Sequence, residues 1–471
     1  MNTSHSGVSR FHYNKDYNFS SSSLQAGLGV SRFHYNKDYF FYSKFLIIFA
    51  LRNNNYRKNM ARKVLISFLG TGPFESKETR TYKTARYHLG EADLGDYPFV
   101  SAALKEYYQI DKVILIGTVH SMWEEVYRWF NVKAGKSEDE TIYFDIAEAC
   151  EKANHLSELV VPHQEAIEQS IGNDSKMVLI KYGITEQEIR ENTNIILGIQ
   201  KYLNNHDELI VDVTHSFRSL PLFIMNLLIY LKNVSPKDIT ISHIHYGMLE
   251  MSKELGFAPI IDLKATMDVN DWITGAYSFV EFGNAYKISK LIAQEDKGVS
   301  TLLNDFSNTM NLNHLFAIQG ISQRLSSIKE KKYATVLPEL IINPIVGEYI
   351  KYFPVNEKKH SVFQLKLAKW QLEHKKYAQA LLTINESIIT YLCESLKLKW
   401  DNYDNREGVK GILKGYDVES SSMVDPDLRK VYKQLLPLRN CTAHTMETSK
   451  NIQDIIKTLK ESMSILETII K

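Results

Sequence analysis

The stretch ELIVDVTHSFRSLPLFIMNLLIYLKNV, Glu208 to Val234, decides how the rest of the chain reads. ELIVD is a short β-rich run with an apolar middle, as a strand covered on both faces must be. It gives way to a polar loop, and Pro221 then stands where a helix opens, since a first-turn residue has no intrahelical use for its N–H. Strand, polar loop and helix make half of a βαβ unit, and the same grammar recurs. KVLISFLG (Lys63 to Gly70), KVILIGT (Lys112 to Thr118), MVLIKYGI (from Met177) and DITISHIHYGM (from Asp238) are further β-rich runs, and FVSAALKEYYQI from Phe99 is a helical stretch between the first two. Strands alternating with helices predict an α/β fold, a doubly wound parallel sheet over residues 60–265. From residue 266 the strand signal fades. Amphipathic helices, interrupted near Pro338, Pro344 and Pro354, are expected to run to Lys471, so that an all-α half follows the α/β half.

Composition bounds the possibilities. With 471 residues, 44% of them hydrophobic, the chain can build two or three domains with real cores. Its 56 Lys and Arg against 55 Asp and Glu leave a formal charge of +1, so bulk charge points to no nucleic-acid or membrane partner. Cys150, Cys393 and Cys441 lie far apart, with no CxxC or Cys/His spacing. That speaks against a disulfide framework and a structural zinc site, and for a reducing, cytoplasmic location. The longest apolar run, Phe45 to Leu51, falls well short of the roughly 20 residues that cross a bilayer. Collagen, coiled coil, disordered chain and membrane protein are thereby excluded.

The first 59 residues differ in kind. GVSRFHYNKDY occurs unchanged at Gly7–Tyr17 and at Gly29–Tyr39, with unrelated sequence between the copies. Structural repeats keep a hydrophobic pattern and drift elsewhere, whereas identity without drift is a property of DNA. Residues 1–59 are expected to be a disordered leader translated from a DNA repeat, with the working protein starting at Met60.

Ligands of open α/β sheets sit beyond the carboxyl ends of the strands, so the loops there hold the candidate site. GTGPF (Gly70 to Phe74) offers Gly70 and Gly72, whose backbone N–H groups can approach an anion, and the Thr71 hydroxyl. It is neither a GxGxxG nor a Walker loop, and a plain tight turn is the alternative. GTVHSMW (Gly117 to Trp123) brings Thr118, His120 and Ser121 to a strand end beside Trp123, which either stacks on a base or is buried structurally. DVTHSFRSLP (Asp212 to Pro221) sets Thr214, His215, Ser216 and Arg218 at a helix start, where dipole and free amides favour an anion. Arg218 supplies a planar donor fork, unless Asp212 and Arg218 merely pair to brace the loop.

Taken in order, these three loops resemble the CARF domain of CRISPR-associated ancillary nucleases that serve type III systems. The resemblance implies a Rossmann-like fold that dimerises about a two-fold axis and binds a cyclic oligoadenylate across it, cyclic tetra-adenylate being the expected ring. It assigns ligand binding to Gly70, Thr71, Gly72, Thr118, His120, Ser121, Trp123, Thr214, His215, Ser216 and Arg218. Many relatives have glycine after the Thr-His pair where this chain has Ser216. The upstream repeat resembles one unit of a CRISPR array read in frame, which places the gene beside an array.

The same resemblance directs attention to RNCTAH, Arg439 to His444. HEPN ribonucleases carry Arg, a polar residue, three variable positions and His on one helix, and Arg439 alone among the arginines has a histidine five residues on. The resemblance implies a HEPN domain within residues 266–471, with Arg439, Asn440 and His444 catalytic. It implies cleavage of single-stranded RNA without metal or cofactor, by attack of the ribose 2′-hydroxyl, leaving a 2′,3′-cyclic phosphate. KKYAQALLTINESIITYL, carrying Glu386, resembles the companion helix. Asn440 and His444, four apart, share a helical face, and one chain supplies half of a compact site, so a homodimer or higher oligomer is expected. Two other classes stay open: a sensor without catalysis, and a ring nuclease using Thr71, Ser121 and Arg218 on its own activator. His243 and His245 alternate along a strand and are expected to pack or hydrogen-bond rather than bind metal.

Overall fold

The computed structural model describes residues 61–471 other than 77–79, 173, 216, 354–356 and 445–450. The expected leader, Ser216 and the interruption at Pro354 lie outside the described residues.

Among the described residues ten strands are formed: β1 Lys63–Leu69, β2 Phe74–Ser76, β3 Thr81–Tyr82, β4 Ala85–Leu89, β5 Ala92–Tyr97, β6 Lys112–Gly117, β7 Lys176–Leu179, β8 Glu208–Asp212, β9 Thr240–Gly247 and β10 Ala258–Asp262. Eight make one sheet in the order β5-β4-β10-β9-β8-β1-β6-β7, and β2 with β3 forms a separate small hairpin. β1 is central, with Ile66 opposite Ile114 of β6 on one side and Val211 of β8 on the other, both in parallel register. β7 continues the parallel run beyond β6, as β9 does beyond β8. The sheet is therefore mostly parallel, as expected. Three outer strands extend it beyond the sequence reading: β10 is antiparallel to β9, β4 parallel to β10, and β5 antiparallel to β4.

Alternation along β1 explains why both faces are covered. Val64, Ile66 and Phe68 pack into one layer with Ile196, Ile224 and Leu227, while Leu65 and Leu69 pack into the other with Val100, Leu104, Trp123 and Val126. Only a strand with helices on both sides can be apolar throughout. The chain winds outward through β1, β6 and β7, then returns to the other side of β1 for β8 and β9. The loops leaving β1 and β8 diverge there, and the resulting crevice is the switch point at which such sheets bind ligands.

After Asp262 every regular element among the described residues is helical. One core gathers Phe279, Phe306, Tyr349 and Trp370, and another gathers Ile384, Leu435, Leu459 and Leu466. The helix His360–Glu373 feeds both, with Phe363 and Leu367 turned to the first and Leu365 and Ala368 to the second. It is apolar around its circumference because it is covered on two sides. The interruptions expected near Pro338 and Pro344 are absent: one helix, Val336–Tyr352, runs through both. Pro338 sits in the first turn, where the missing N–H costs nothing, while Pro344 forgoes one ladder hydrogen bond inside the helix. No helix among the described residues is long and apolar enough to cross a membrane.

Candidate functional site

The loops after β1, β6 and β8 converge on one cavity of about 840 Å³ at the switch point. Gly70, Thr71, Gly72, Thr118, Ser121, Thr214 and His215 all line it. Backbone staples hold the first two loops together: the Met122 N–H donates to the Gly70 carbonyl at 3.0 Å, and the Ser121 hydroxyl donates to the Leu69 carbonyl at 2.8 Å. Gly72 adopts φ +59°, and a Cβ there would stand 2.9 Å from Tyr82 Cδ1 and still closer to Met122 Cε. Both backbone and space demand glycine. Gly72→Val should lower unfolding stability by about 2 kcal/mol from overpacking and left-handed strain, and a urea titration of both proteins measures it.

Asp212 organises the third loop. Its buried carboxylate accepts the Ser67 hydroxyl at 2.5 Å, the Thr214 N–H at 3.0 Å and the Thr214 hydroxyl at 2.5 Å. Thr214 Oγ1 in turn accepts the Gly247 N–H at 2.7 Å, so one carboxylate ties β1, the β8 loop and the end of β9. Bracing by an Asp212–Arg218 pair is thereby replaced. Arg218 is exposed and does not line the cavity, which corrects its expected place there: the loop turns it outward.

His215 faces the cavity as a neutral ring. Its Nε2 accepts the Val100 N–H at 3.3 Å, and burial pushes its pKa down from 6.5 against the opposing pull of Asp212. Val100 opens the helix Val100–Tyr108, whose cap residue Phe99 makes no side-chain bond, so His215 satisfies an otherwise orphaned donor. His245 is likewise buried and lowered, first by desolvation, with Tyr108 OH 2.8 Å from its Nε2. His243 meets Asp262 at 2.7 Å. Both strand histidines pack and hydrogen-bond, as expected.

The sign of the pH dependence follows. Each buried ring resists protonation in the fold while its unfolded counterpart titrates near 6.5, so the unfolded state binds more protons below that pH. Stability should hold above about pH 6.5 and fall as pH drops below it, which urea unfolding at pH 7.5 and 5.5 compares.

Two further expectations are corrected. Trp123 is fully buried, and its indole N–H donates to the Thr118 carbonyl at 2.8 Å, so it braces the turn and offers no face to a base. His120 points away from the cavity, its Nδ1 2.7 Å from the Cys150 carbonyl. In compensation the cavity has walls that the post-strand rule does not find. Lys83 and Thr84 follow the β2–β3 hairpin, and Ser252 and Lys253 belong to the β9–β10 connection. No strand-end signal marks these positions; the lysines in TYKTAR and MSKEL are the trace they leave in the sequence.

A buried acid latches the hairpin. Glu124 accepts Tyr82 OH at 2.6 Å and Arg80 Nη2 at 2.9 Å, and Arg80 also reaches Glu151 at 2.9 Å. Glu124→Ala strands the phenol and leaves the guanidinium with Glu151 alone. It should cost about 2 kcal/mol, less than a wholly buried pair because Arg80 keeps some solvent, and thermal unfolding reports it.

In the helical half, Arg439, Asn440 and His444 lie on the helix Pro426–His444. The helix begins eleven residues before Pro437 and runs through it. The side chains of Arg439 and Asn440 are half-buried and adjacent, Nη1 to Oδ1 3.4 Å, while that of His444 lies outside the described residues. Glu386, on the helix Tyr377–Ser395 packed alongside, is ion-paired with Arg406, which also donates to Thr390 Oγ1 at 3.2 Å and to the Trp400 carbonyl at 2.9 Å. Tyr432, two turns before Arg439 on the same face, has its hydroxyl pushed up to about 12 by burial, then by Glu386 and Glu407, with Arg439 pulling the other way. Glu386, Tyr432 and Arg439 thus share one neighbourhood.

Comparison with known proteins matches the model for the CARF domain of the CRISPR system endoribonuclease Csx1 to residues 64–249. The model for the second domain of CRISPR-associated protein MJ1674 matches residues 268–357. CRISPR-associated protein MJ1674 of Methanocaldococcus jannaschii is 32% identical over 430 residues, 84% of this chain and 66% of that protein. This chain thus spans just under two thirds of that relative's length. A solved structure, Enterococcus italicus Csm6 bound to cyclic hexa-2′-fluoro-hexa-dAMP, is similar at 12% identity and a TM-score of 0.35 over 87% of this chain and 93% of that one, a likeness too low to argue from. The Csx1 match runs from β1 through β9, taking in all three strand-end loops and the cavity they enclose, and this chain is a CARF-containing CRISPR-associated protein.

Proposed function

We propose that this protein senses a cyclic oligoadenylate, cyclic tetra-adenylate first among the rings, and answers by cutting single-stranded RNA in the cytoplasm. The observation that carries the reading is the convergence of seven strand-end residues, Gly70 to Gly72, Thr118, Ser121, Thr214 and His215, on one switch-point cavity. Glycine amides and threonine hydroxyls suit phosphate oxygens, and two copies of the cavity about a two-fold axis would match a symmetric ring.

Arg439, Asn440 and His444 would carry the chemistry. RNA brings its own nucleophile: the 2′-hydroxyl attacks the adjacent phosphorus, the bond to the 5′-oxygen breaks, and a 2′,3′-cyclic phosphate and a 5′-hydroxyl remain. His444 moves or orients the proton, and Arg439 stabilises charge on the phosphoryl oxygens. The reaction so written needs no metal, and DNA should resist. Arg439 and His444 of two copies facing each other would complete the site, and the ring would act by shifting how they face.

Calorimetric titration with cyclic tri-, tetra- and hexa-adenylate tests the sensing step. Saturation by one ring size at one ring per two chains is expected, and failure of all three to bind would overturn the reading.

A further inference from the structure

The charges lining the cavity are unbalanced. Its lining contains two lysines, Lys83 and Lys253, and no Asp or Glu. Among the described residues neither ammonium has a carboxylate partner, although most basic side chains around the sheet do, Arg62, Arg80, Arg86 and Lys112 among them. Beside Lys253 the Ser252 hydroxyl also lines the cavity, buried with no hydrogen-bond partner. Buried donors of this kind are seldom left unmatched. Three other polar side chains of the lining have settled partners: Thr214 is held by Asp212, Ser121 by the Leu69 carbonyl and His215 by the Val100 N–H. Arg218 points elsewhere, so no other cation lines the cavity among the described residues.

From this imbalance we infer that Lys83, Lys253 and Ser252 form the anion-recognising wall of the cavity, facing the glycine loops, and that the ligand is held there by its phosphates. Both lysines are carried by anchored backbone. The Lys83 N–H donates to the Pro73 carbonyl at 2.9 Å, at the foot of the hairpin that Glu124 latches. Lys253 follows Met248, whose N–H donates to the Pro259 carbonyl at 2.9 Å across the β9–β10 connection. The wall gives the glycine loops an opposing cation on each side, so a ring of phosphates meets amides on one edge and ammonium groups on the other. This inference rests on the proposed reading of the cavity as a cyclic-oligoadenylate site.

The test measures binding of labelled cyclic tetra-adenylate by the full chain across a salt series, for wild type, Lys83→Ala, Lys253→Ala, the double variant and Arg218→Ala. Each single lysine variant should weaken binding about tenfold, as loss of one charge-assisted hydrogen bond does. Each should also flatten the dependence of log affinity on log salt by roughly one counter-ion. Arg218→Ala should bind as wild type, and Lys83→Arg should restore most of the affinity. Unchanged affinity and salt slope in both lysine variants would overturn the wall while leaving ring sensing intact. If wild type ignores the ring, inorganic tripolyphosphate is the second probe. Lysine-dependent binding of it would keep the wall and reject the ring, and no binding would reject both.

Discussion

His444→Ala should lower activator-dependent RNA cleavage by about 10²- to 10⁴-fold, the usual contribution of a positioned acid–base group, while ring affinity stays within error of wild type. The separation is physical: the histidine lies on the helix Pro426–His444, whereas the cavity lies at the switch point of the sheet in the other half. Arg439→Ala should fall by about 10²- to 10³-fold, and Arg439→Lys should recover little, since a point charge cannot reproduce a planar fork on two phosphoryl oxygens. The required readouts are initial cleavage rates at saturating ring and calorimetric ring affinity on the same preparations. Variants that cut RNA as fast as wild type would remove the RNCTAH helix from catalysis and leave a sensor that recruits some other activity.

Trp123→Ala should cost about 3–5 kcal/mol, the range for truncating a fully buried aromatic, and should abolish ring binding with it. Trp123 is 0% exposed and lies against Gly117, where even one added carbon would stand 2.8 Å from Trp123 Cζ2. Its N–H holds the Thr118 carbonyl, so the indole fixes the turn that carries Thr118 and Ser121 into the cavity. Trp123→Phe separates bracing from stacking. A phenyl ring would keep a stacking face but lose the donor and part of the packing, so about 1–2 kcal/mol should be lost and ring affinity should weaken. Were the indole a stacking platform, the phenyl variant would instead keep wild-type stability. Urea unfolding curves for the three proteins decide between these.

The two roles of Trp123 show where sequence reading stops. GTVHSMW marks a strand end, but whether its tryptophan turns in or out depends on the void that Gly117 leaves six residues earlier, and on a carbonyl waiting at Thr118. The central strands were legible because burial on both faces leaves a largely apolar run, as in KVLISFL and KVILIG. The outer strands were not: ADLGDY carries two acids and a glycine on a half-exposed edge, and β10 pairs with β4 across a long sequence gap. The lysine wall was hidden for the same reason, since Lys83 and Lys253 reach the cavity only through that extension. Arg218 failed in the opposite sense: its place after β8 was right, but the loop spends Asp212 on Thr214 and turns the arginine outward. Pro344 read as a break, yet it sits inside a helix whose packing against its neighbours outweighs one lost hydrogen bond.

On the proposed reading, a ring in the switch-point cavity awakens metal-free cutting at the far helix. The most direct measurement is cleavage of a fluorescent single-stranded RNA by the full chain in EDTA, with and without cyclic tetra-adenylate, with analysis of the product ends. Cleavage should appear with the ring and leave 2′,3′-cyclic phosphate and 5′-hydroxyl termini. Saturating ring binding without any cleavage, or cleavage that vanishes in EDTA, would contradict it.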